Sequence, residues 1–124
     1  MTRDTLARFA NQRYVNLESF RKNGQGIRTP LWFVEAQGVL YMRTPAQSAK
    51  VRRIRNNLRV RVVPSDVRGN PIGEWIEGKA RLIATDDAEW VNQLIKRKYG
   101  LFKWLIDIRS RLKRTAYVVI AVHV

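Results

Sequence analysis

The amino-acid sequence predicts a mainly β domain, built as a closed or split barrel with flanking helices. Six runs between Tyr14 and Val124 read as strands, turn residues separate the early ones, and the helical segments are inserted between the later ones. A barrel also removes the exposed strand edges that a sheet this hydrophobic would otherwise have. At 124 residues the chain has room for one core, so we expect a single domain over residues 1–124.

The first strands follow one another as a meander. Strand-like runs extend from Tyr14 to Arg21, from Ile27 to Glu35 and from Val39 to Thr44. Asn23-Gly24 and Gln37-Gly38 lie between these runs and are turn signals. We therefore expect the second and third runs to form a hairpin.

The period of the pattern changes after Thr44. Val51, Ile54 and Leu58 recur at helical spacing, which predicts a short helix from Ser48 to Leu58. The chain then returns to strands: Arg59 to Val63 alternates charge and valine, Asp66 to Pro71 is a turn, and Gly73 to Ile83 reads as a long strand.

The last part of the chain is predicted to contain two helices and a strand. Asp86 and Glu89 resemble a capping box at the start of a helix that continues to about Lys98, where Gly100 interrupts it. A second amphipathic helix has its apolar stripe at Leu101, Leu105, Ile108 and Leu112, and a strand follows from about Thr115 to Val124.

Composition restricts the function classes. The formal net charge is +14, so we expect an anionic partner: nucleic acid, anionic lipid or a phosphorylated small molecule. The absence of cysteine excludes disulfides, thiolate nucleophiles and Cys-ligated metal sites. No metal-ligand spacing or carboxylate pair stands out, and His123 is the single histidine, so neither a metal site nor a His general base is expected. The longest apolar run, Ala116 to Val122, is too short for a membrane span, which favours a cytoplasmic protein.

A candidate anion-binding site follows the third strand. Thr44 and Pro45 lead from this strand into the predicted helix, whose first residues include Ser48 and Lys50. A helix N-terminus offers unpaired N–H donors and a partial positive charge, so a phosphate placed there would be stabilised by the backbone and by the Lys50 ammonium together. From the residues alone, a solvated helix start explains Ser48 and Lys50 about equally well.

Five short segments occur in an order that is typical of a known family. They are TPLWF at Thr29–Phe33, LYMRT at Leu40–Thr44, SAKVRRIRNNLRV at Ser48–Val60, GEWIEGKARL at Gly73–Leu82 and KYG at Lys98–Gly100. In order and spacing they resemble the split-barrel flavin-binding proteins related to pyridoxamine phosphate oxidase, especially the branch that uses the deazaflavin coenzyme F420. This resemblance implies a six-stranded split β-barrel of the flavin-reductase and FMN-binding type.

The resemblance also implies a homodimer with FMN or coenzyme F420 bound at the subunit interface. Ser48 and Lys50 match the phosphate-binding SxK element, and Arg43 and Thr44 match the end of the preceding strand. The chain departs from the family at Ala49, where relatives often have a second basic residue.

The same resemblance assigns residues around the cofactor ring. Thr29, Pro30, Leu31 and Trp32 match the strand beside the ring, and Trp75 or a neighbour is expected to reach the partner's site. Arg52 or Arg53 is expected to compensate for Ala49.

Other interpretations of these residues remain open. Trp32, Tyr41 and Trp75 suit a barrel core or a dimer interface better than direct stacking on a cofactor. The basic block from Lys50 to Arg61 resembles a nucleic-acid patch, although its alternation with valine and isoleucine favours the solvated face of a helix and a strand. The basic segment from Lys96 to Arg114 also suits an interfacial membrane helix.

We therefore interpret the sequence as that of a flavin- or deazaflavin-dependent oxidoreductase that acts on a small molecule. A bound ring carries hydride or electron chemistry by itself, so the lack of an evident catalytic residue does not argue against an enzyme. The alternatives are a flavin-binding protein without turnover and a basic nucleic-acid-binding protein. Specific recognition of nucleic acid is not expected, because no base-reading motif is present.

Overall fold

The computed structural model describes Thr5, residues 7–100 and residues 116–124. The helices of these residues are α1 (Ala49–Asn56) and α2 (Glu89–Tyr99), with a short 3-10 helix at Thr85–Ala88. The strands are β1 (Tyr14–Phe20), β2 (Gly26–Trp32), β3 (Val34–Ala36), β4 (Val39–Pro45), β5 (Arg59–Ser65), β6 (Ile76–Ala84) and β7 (Tyr117–His123).

All seven strands belong to one antiparallel sheet with the order β2-β1-β5-β6-β7-β4-β3. The two end strands of this sheet, β2 and β3, are consecutive in the sequence and are separated by Phe33 alone. The ends of the sheet must therefore approach each other, and β2 contacts β4 across the closure. The predicted fold class, a split β-barrel, is confirmed, with seven strands in place of six.

The sheet has an apolar face that fills the barrel. Side chains alternate between the two faces of a strand, and β1 directs Val15 and Leu17 inward, where they meet Val60, Val62 and Ile120. Ile54 of α1 closes this core at one end, and it is fully buried. The core thus holds α1 in place directly after β4.

The opposite face of β4 and β7 is covered by α2. Val91 and Ile95 of this helix pack on Val119 and Ala121 of β7 and on Tyr41 of β4. This second cluster anchors the helix whose last residues, Lys98 and Tyr99, bond to the loop at Phe33. No helix of the described residues is long and apolar enough to cross a membrane.

The predicted strand from Ile27 to Glu35 is wrong as a continuous element, because it is broken at Phe33. The Phe33 N–H donates to the Tyr99 hydroxyl at 3.0 Å, and its carbonyl accepts from the Tyr99 hydroxyl at 2.8 Å and from Lys98 Nζ at 2.9 Å. Both backbone groups are therefore satisfied by side chains of α2 and not by a neighbouring strand. The Phe33 ring turns into the core, where it is 1% exposed.

Several element boundaries also differ from the predictions. The helix predicted over Ser48–Leu58 spans Ala49–Asn56, and Leu58 is 44% exposed. The strand predicted from Gly73 begins at Ile76, so Trp75 precedes it. Asp86 lies in the 3-10 helix, and no side chain caps α2. The helix predicted over residues 101–112 lies outside the described residues.

Candidate functional site

The junction between β4 and α1 carries a half-buried cation with a neutral partner. Lys50 Nζ donates to Thr44 Oγ1 at 3.0 Å, and Thr44 is 1% exposed. Within the described residues, this hydroxyl is the one hydrogen-bond partner of the ammonium, and no carboxylate forms an ion pair with it. A buried charge normally requires an opposite charge, so Lys50 offers its remaining donors to an anion.

Ser48 adds a second unsatisfied group at this junction. Its backbone is extended, with φ −69° and ψ 155°, as expected for a residue that precedes a helix, yet its side chain makes no capping hydrogen bond. Ser48 Oγ is buried and has no hydrogen-bond partner among the described residues. The hydroxyl and the first N–H groups of α1 are thus not paired with each other. A phosphate oxygen is an acceptor that suits both.

The charges around Lys50 are of one sign. Burial lowers the pKa of Lys50, and the nearby Arg53 guanidinium lowers it further. Burial likewise lowers the pKa of Arg53, together with the charges of Arg21 and Arg52. Both shifts disfavour the charged form, and a bound anion would reverse them. Arg53 Nε is held by Ser19 Oγ at 2.8 Å, so this guanidinium stays beside the junction.

A cleft of about 250 Å³ lies on the other face of the same strand. Trp32 forms part of its wall and stacks on Tyr99, with ring centroids 4.4 Å apart and an angle of 7° between the rings. Arg43 lies with its guanidinium carbon 3.9 Å from the centre of the Tyr117 ring. The lining residues are Tyr14, Pro30, Leu31, Trp32, Arg43, Ile95 and Tyr117. Flat aromatic walls and one guanidinium suit a planar, electron-rich ligand.

The structure divides the predicted site residues into groups. Thr44, Ser48 and Lys50 lie together at the start of α1, whereas Pro30, Leu31, Trp32 and Arg43 line the cleft. Arg43 and Thr44 are neighbours on β4 and so belong to opposite faces of it. Thr29 lies opposite Leu17 in the register and shares the inner face of the barrel with it.

Trp75 lies apart from both groups within this chain. The guanidinium carbons of Arg28 and Arg61 are 4.6 and 5.1 Å from the centre of its ring. These arginines are bridged by the Glu18 carboxylate, at 3.0 Å to Arg28 Nε and 2.6 Å to Arg61 Nε. A contact of Trp75 with a partner's site stays a prediction.

Sequence reasoning missed three residues of the cleft. Tyr14 and Tyr117 begin the first and last described strands, and Ile95 lies in the middle of α2. The pairing of β7 with β4 positions Tyr117, the pairing of β1 with β2 positions Tyr14 opposite Trp32, and the packing of α2 on the sheet positions Ile95. The signal available in the sequence was the aromatic character of Tyr14 and Tyr117, since small-molecule sites are lined mainly by apolar and aromatic side chains.

The sheet order, the closure at Phe33 and the flanking helices define the split-barrel fold of pyridoxamine 5'-phosphate oxidase-like proteins. Solved structures of this fold cover nearly the whole chain. A Listeria innocua protein assigned as a pyridoxamine 5'-phosphate oxidase is 18% identical, with a TM-score of 0.67 over 96% of this chain and 89% of that one. An F420 reductase is 17% identical, with a TM-score of 0.63 over 94% and 90%. HutZ, the heme storage protein of Vibrio cholerae, is 13% identical, with a TM-score of 0.71 over 97% and 87%.

The structural similarity, expressed by the TM-scores, establishes the fold, and the functions in the three names differ. No protein-family model matches the chain, and no curated protein matches it. The function must therefore be argued from the residues of the site.

Proposed function

We propose that this protein is a flavin- or deazaflavin-dependent oxidoreductase that binds FMN or coenzyme F420 and acts on a small molecule. The observation that carries the proposal is the half-buried Lys50 ammonium, which has a neutral hydroxyl as its hydrogen-bond partner and lies beside the unsatisfied Ser48 hydroxyl. The fold supports it, because an F420 reductase is among the solved structures with this fold.

The residues present fit the phosphate of such a cofactor. Lys50 would donate to a phosphate oxygen, Ser48 would donate its hydroxyl, and the first N–H groups of α1 would add further donors. Pro30, Leu31 and Trp32, on the wall of the cleft, would orient the ring and keep water away from one of its faces. When bound, the ring supplies the hydride or electron transfer, and the protein supplies binding and orientation.

The proposed assembly is a homodimer of one-domain subunits, with residues 1–124 as the domain and two cofactor sites at the subunit interface. Trp75 lies against Arg28 and Arg61 and not in the cleft of its own chain, and a site completed by a second copy would give it a role. Light scattering at micromolar concentration is expected to give twice the chain mass. A cytoplasmic location is part of the same proposal.

Exchange of Lys50 for alanine tests the phosphate contact. A charge-assisted hydrogen bond contributes about 1.5–3 kcal/mol, so Lys50→Ala should weaken FMN or F420 binding by roughly 10- to 100-fold. Lys22→Ala is the matched control, because Lys22 is exposed in the turn between β1 and β2 and the charge change is the same. Titration calorimetry measures both. Equal affinities of the two variants for the cofactor would remove Lys50 from the site.

A turnover assay distinguishes an oxidoreductase from a cofactor-binding protein without turnover and from a nucleic-acid-binding protein. We expect the loaded protein to reoxidise reduced FMN or reduced F420 with quinone or enone acceptors faster than the free cofactor does. His123→Gln should leave this rate within a few-fold, short of the roughly 10²–10⁴-fold loss on removing a general acid or base, because His123 is exposed at the end of β7. Binding without acceleration would identify a cofactor-binding protein. Failure to bind either cofactor, combined with salt-sensitive binding of nucleic acid, would refute the proposal.

A further inference from the structure

A second cavity lies between the end of α1 and the edge of β6, away from the Lys50 group. The pairing of β5 with β6 ends at Arg59 and Lys79, so the following residues of β6 have no strand on that side. The Ala80 N–H donates instead to the Leu58 carbonyl at 2.8 Å, which holds the chain after α1 against this edge. The cavity formed there has a volume of about 450 Å³, within the size range of small-molecule sites.

The cavity runs along the open edge of β6, so the residues of this strand in its apolar floor come from the inner face and those in its basic rim from the outer face. Leu58, Ala80 and Leu82 form apolar parts of the lining, and Leu58 is 44% exposed although it is a large apolar side chain. Arg55, Lys79, Arg81 and His123 supply the nitrogen groups, and none of the described residues that line the cavity is acidic.

The cations at the rim differ from the arginines of the neighbouring strand β5 in their lack of acidic partners. Within the described residues, Arg55, Lys79 and Arg81 have no hydrogen-bond acceptor or ion-pair partner for their side chains. Arg59 and Arg61, on the neighbouring strand, are paired with Glu77 and Glu18 at 2.7 and 2.6 Å. Cations without an acidic partner therefore lie beside an accessible apolar floor.

We propose that this cavity binds an apolar carboxylate, with its hydrocarbon part on Leu58 and Leu82 and its carboxylate among Arg55, Lys79 and Arg81. Burial of methylene groups on the floor and charge-assisted hydrogen bonds at the rim act on the two ends of one ligand. A nucleic-acid backbone would use the cations and leave the apolar floor uncovered, so the amphipathic anion fits the lining better. None of Thr44, Ser48 and Lys50 lines this cavity, so the site is distinct from the proposed cofactor site.

The experiment uses dodecanoate as the probe, below the concentration at which it forms micelles, with decanoate, octanoate and dodecanol for comparison. We expect calorimetry to show saturable binding of dodecanoate. The affinity should fall about fourfold for each methylene group by which the chain of the ligand is shortened. Dodecanol should bind at least about tenfold more weakly, since it lacks the charge.

Two variants and one control locate the ligand. The double variant K79Q/R81Q removes two rim charges and should lose about tenfold in dodecanoate affinity. Leu58→Asp places a carboxylate at an exposed position of the floor and should abolish binding, and it keeps the test valid if the double variant fails to fold. The control K22Q/R68Q makes the same charge change at two exposed loop residues and should bind as the wild type does.

The inference would be overturned by dodecanol binding as tightly as dodecanoate, or by unchanged dodecanoate affinity in K79Q/R81Q and Leu58→Asp. Absence of saturable dodecanoate binding would also overturn it. FMN and F420 affinities are measured on the same variants and should be unchanged. Failure of the cofactor site would appear in Lys50→Ala and not in these variants, so the two proposals can fail independently.

Discussion

The Tyr99 hydroxyl stabilises the closure of the barrel at Phe33, and the variant Tyr99→Phe measures its contribution to the free energy of unfolding. Tyr99 is 9% exposed, and its hydroxyl accepts from the Phe33 N–H at 3.0 Å. It donates to the carbonyl of Arg13 at 2.7 Å or to that of Phe33 at 2.8 Å. Burial raises the pKa of Tyr99 to about 12, so the phenol keeps its proton over the usual pH range.

The loss of stability on removing this hydroxyl depends on which of its hydrogen-bond partners remain without a bond. The Phe33 carbonyl still accepts from Lys98 Nζ at 2.9 Å, but the Phe33 N–H loses its acceptor in a buried position. A buried donor without a partner costs about 1–3 kcal/mol, and the lost bond to Arg13 adds to it, so we expect a loss of roughly 2–3 kcal/mol in the free energy of unfolding. For a chain of this length that corresponds to a fall in Tm of about 6–12 °C.

Urea unfolding of Tyr99→Phe and of Tyr41→Phe makes the comparison. Tyr41 is 8% exposed and its ring meets Trp90 edge-on at 4.7 Å, but its hydroxyl has no hydrogen bond among the described residues. Its replacement should change stability by less than about 0.5 kcal/mol. Hydrogen exchange at the Phe33 amide should accelerate in Tyr99→Phe alone. Equal stabilities of the two variants would show that the hydroxyl does not hold the closure.

Two further predictions concern charged groups near the barrel. Burial by itself would raise the pKa of Glu18, but the hydrogen bonds and charges of Arg61 and Arg28 outweigh it and lower the pKa below 4.5. The carboxylate therefore stabilises the fold above pH 4.5 and loses this contribution as the pH falls through its folded pKa. Glu18→Gln should cost about 2 kcal/mol near neutral pH by urea unfolding, with a smaller difference in acid, and a constant difference would contradict the linkage. Burial lowers the pKa of Lys98 from 10.5 to about 8, so the unfolded chain binds more protons between these values and wild-type stability should rise with pH across this window. Lys98→Met should lack that rise, and an identical pH profile for the two proteins would refute the assignment.

Short-range sequence patterns were sufficient to predict the strand β5 and the helix α1. The alternation of charge and valine predicted the strand β5, in which Val60 and Val62 are buried, and helical spacing predicted α1, in which Val51 and Ile54 are buried. Leu58 continued that spacing but lies after the end of α1 and is exposed, since the chain there turns toward β6. Spacing alone does not reveal where a short helix ends.

The break at Phe33 could not be predicted, because Leu31 to Val34 is an unbroken apolar run. Its cause, the Tyr99 hydroxyl, is 66 positions away in the sequence. The separation of Arg43 from Thr44 is different, since the two-residue period of β4 already places adjacent side chains on opposite faces. The sequence therefore already indicated that Arg43 and Thr44 do not face the same part of the site.

The place of β7 in the sheet has a consequence for the synthesis of the protein. β7 pairs with β6 on one side and with β4 on the other, and within the described sheet it is the one strand whose hydrogen bonds join β2-β1-β5-β6 to β4-β3. While the ribosome still holds residues 117–123, the nascent chain can form at most two partial sheets, each with an unpaired edge. Such edges recruit strands from other chains. A synthetic peptide with the sequence of Tyr117–His123, supplied to the chain shortened before β7, would act as the missing strand.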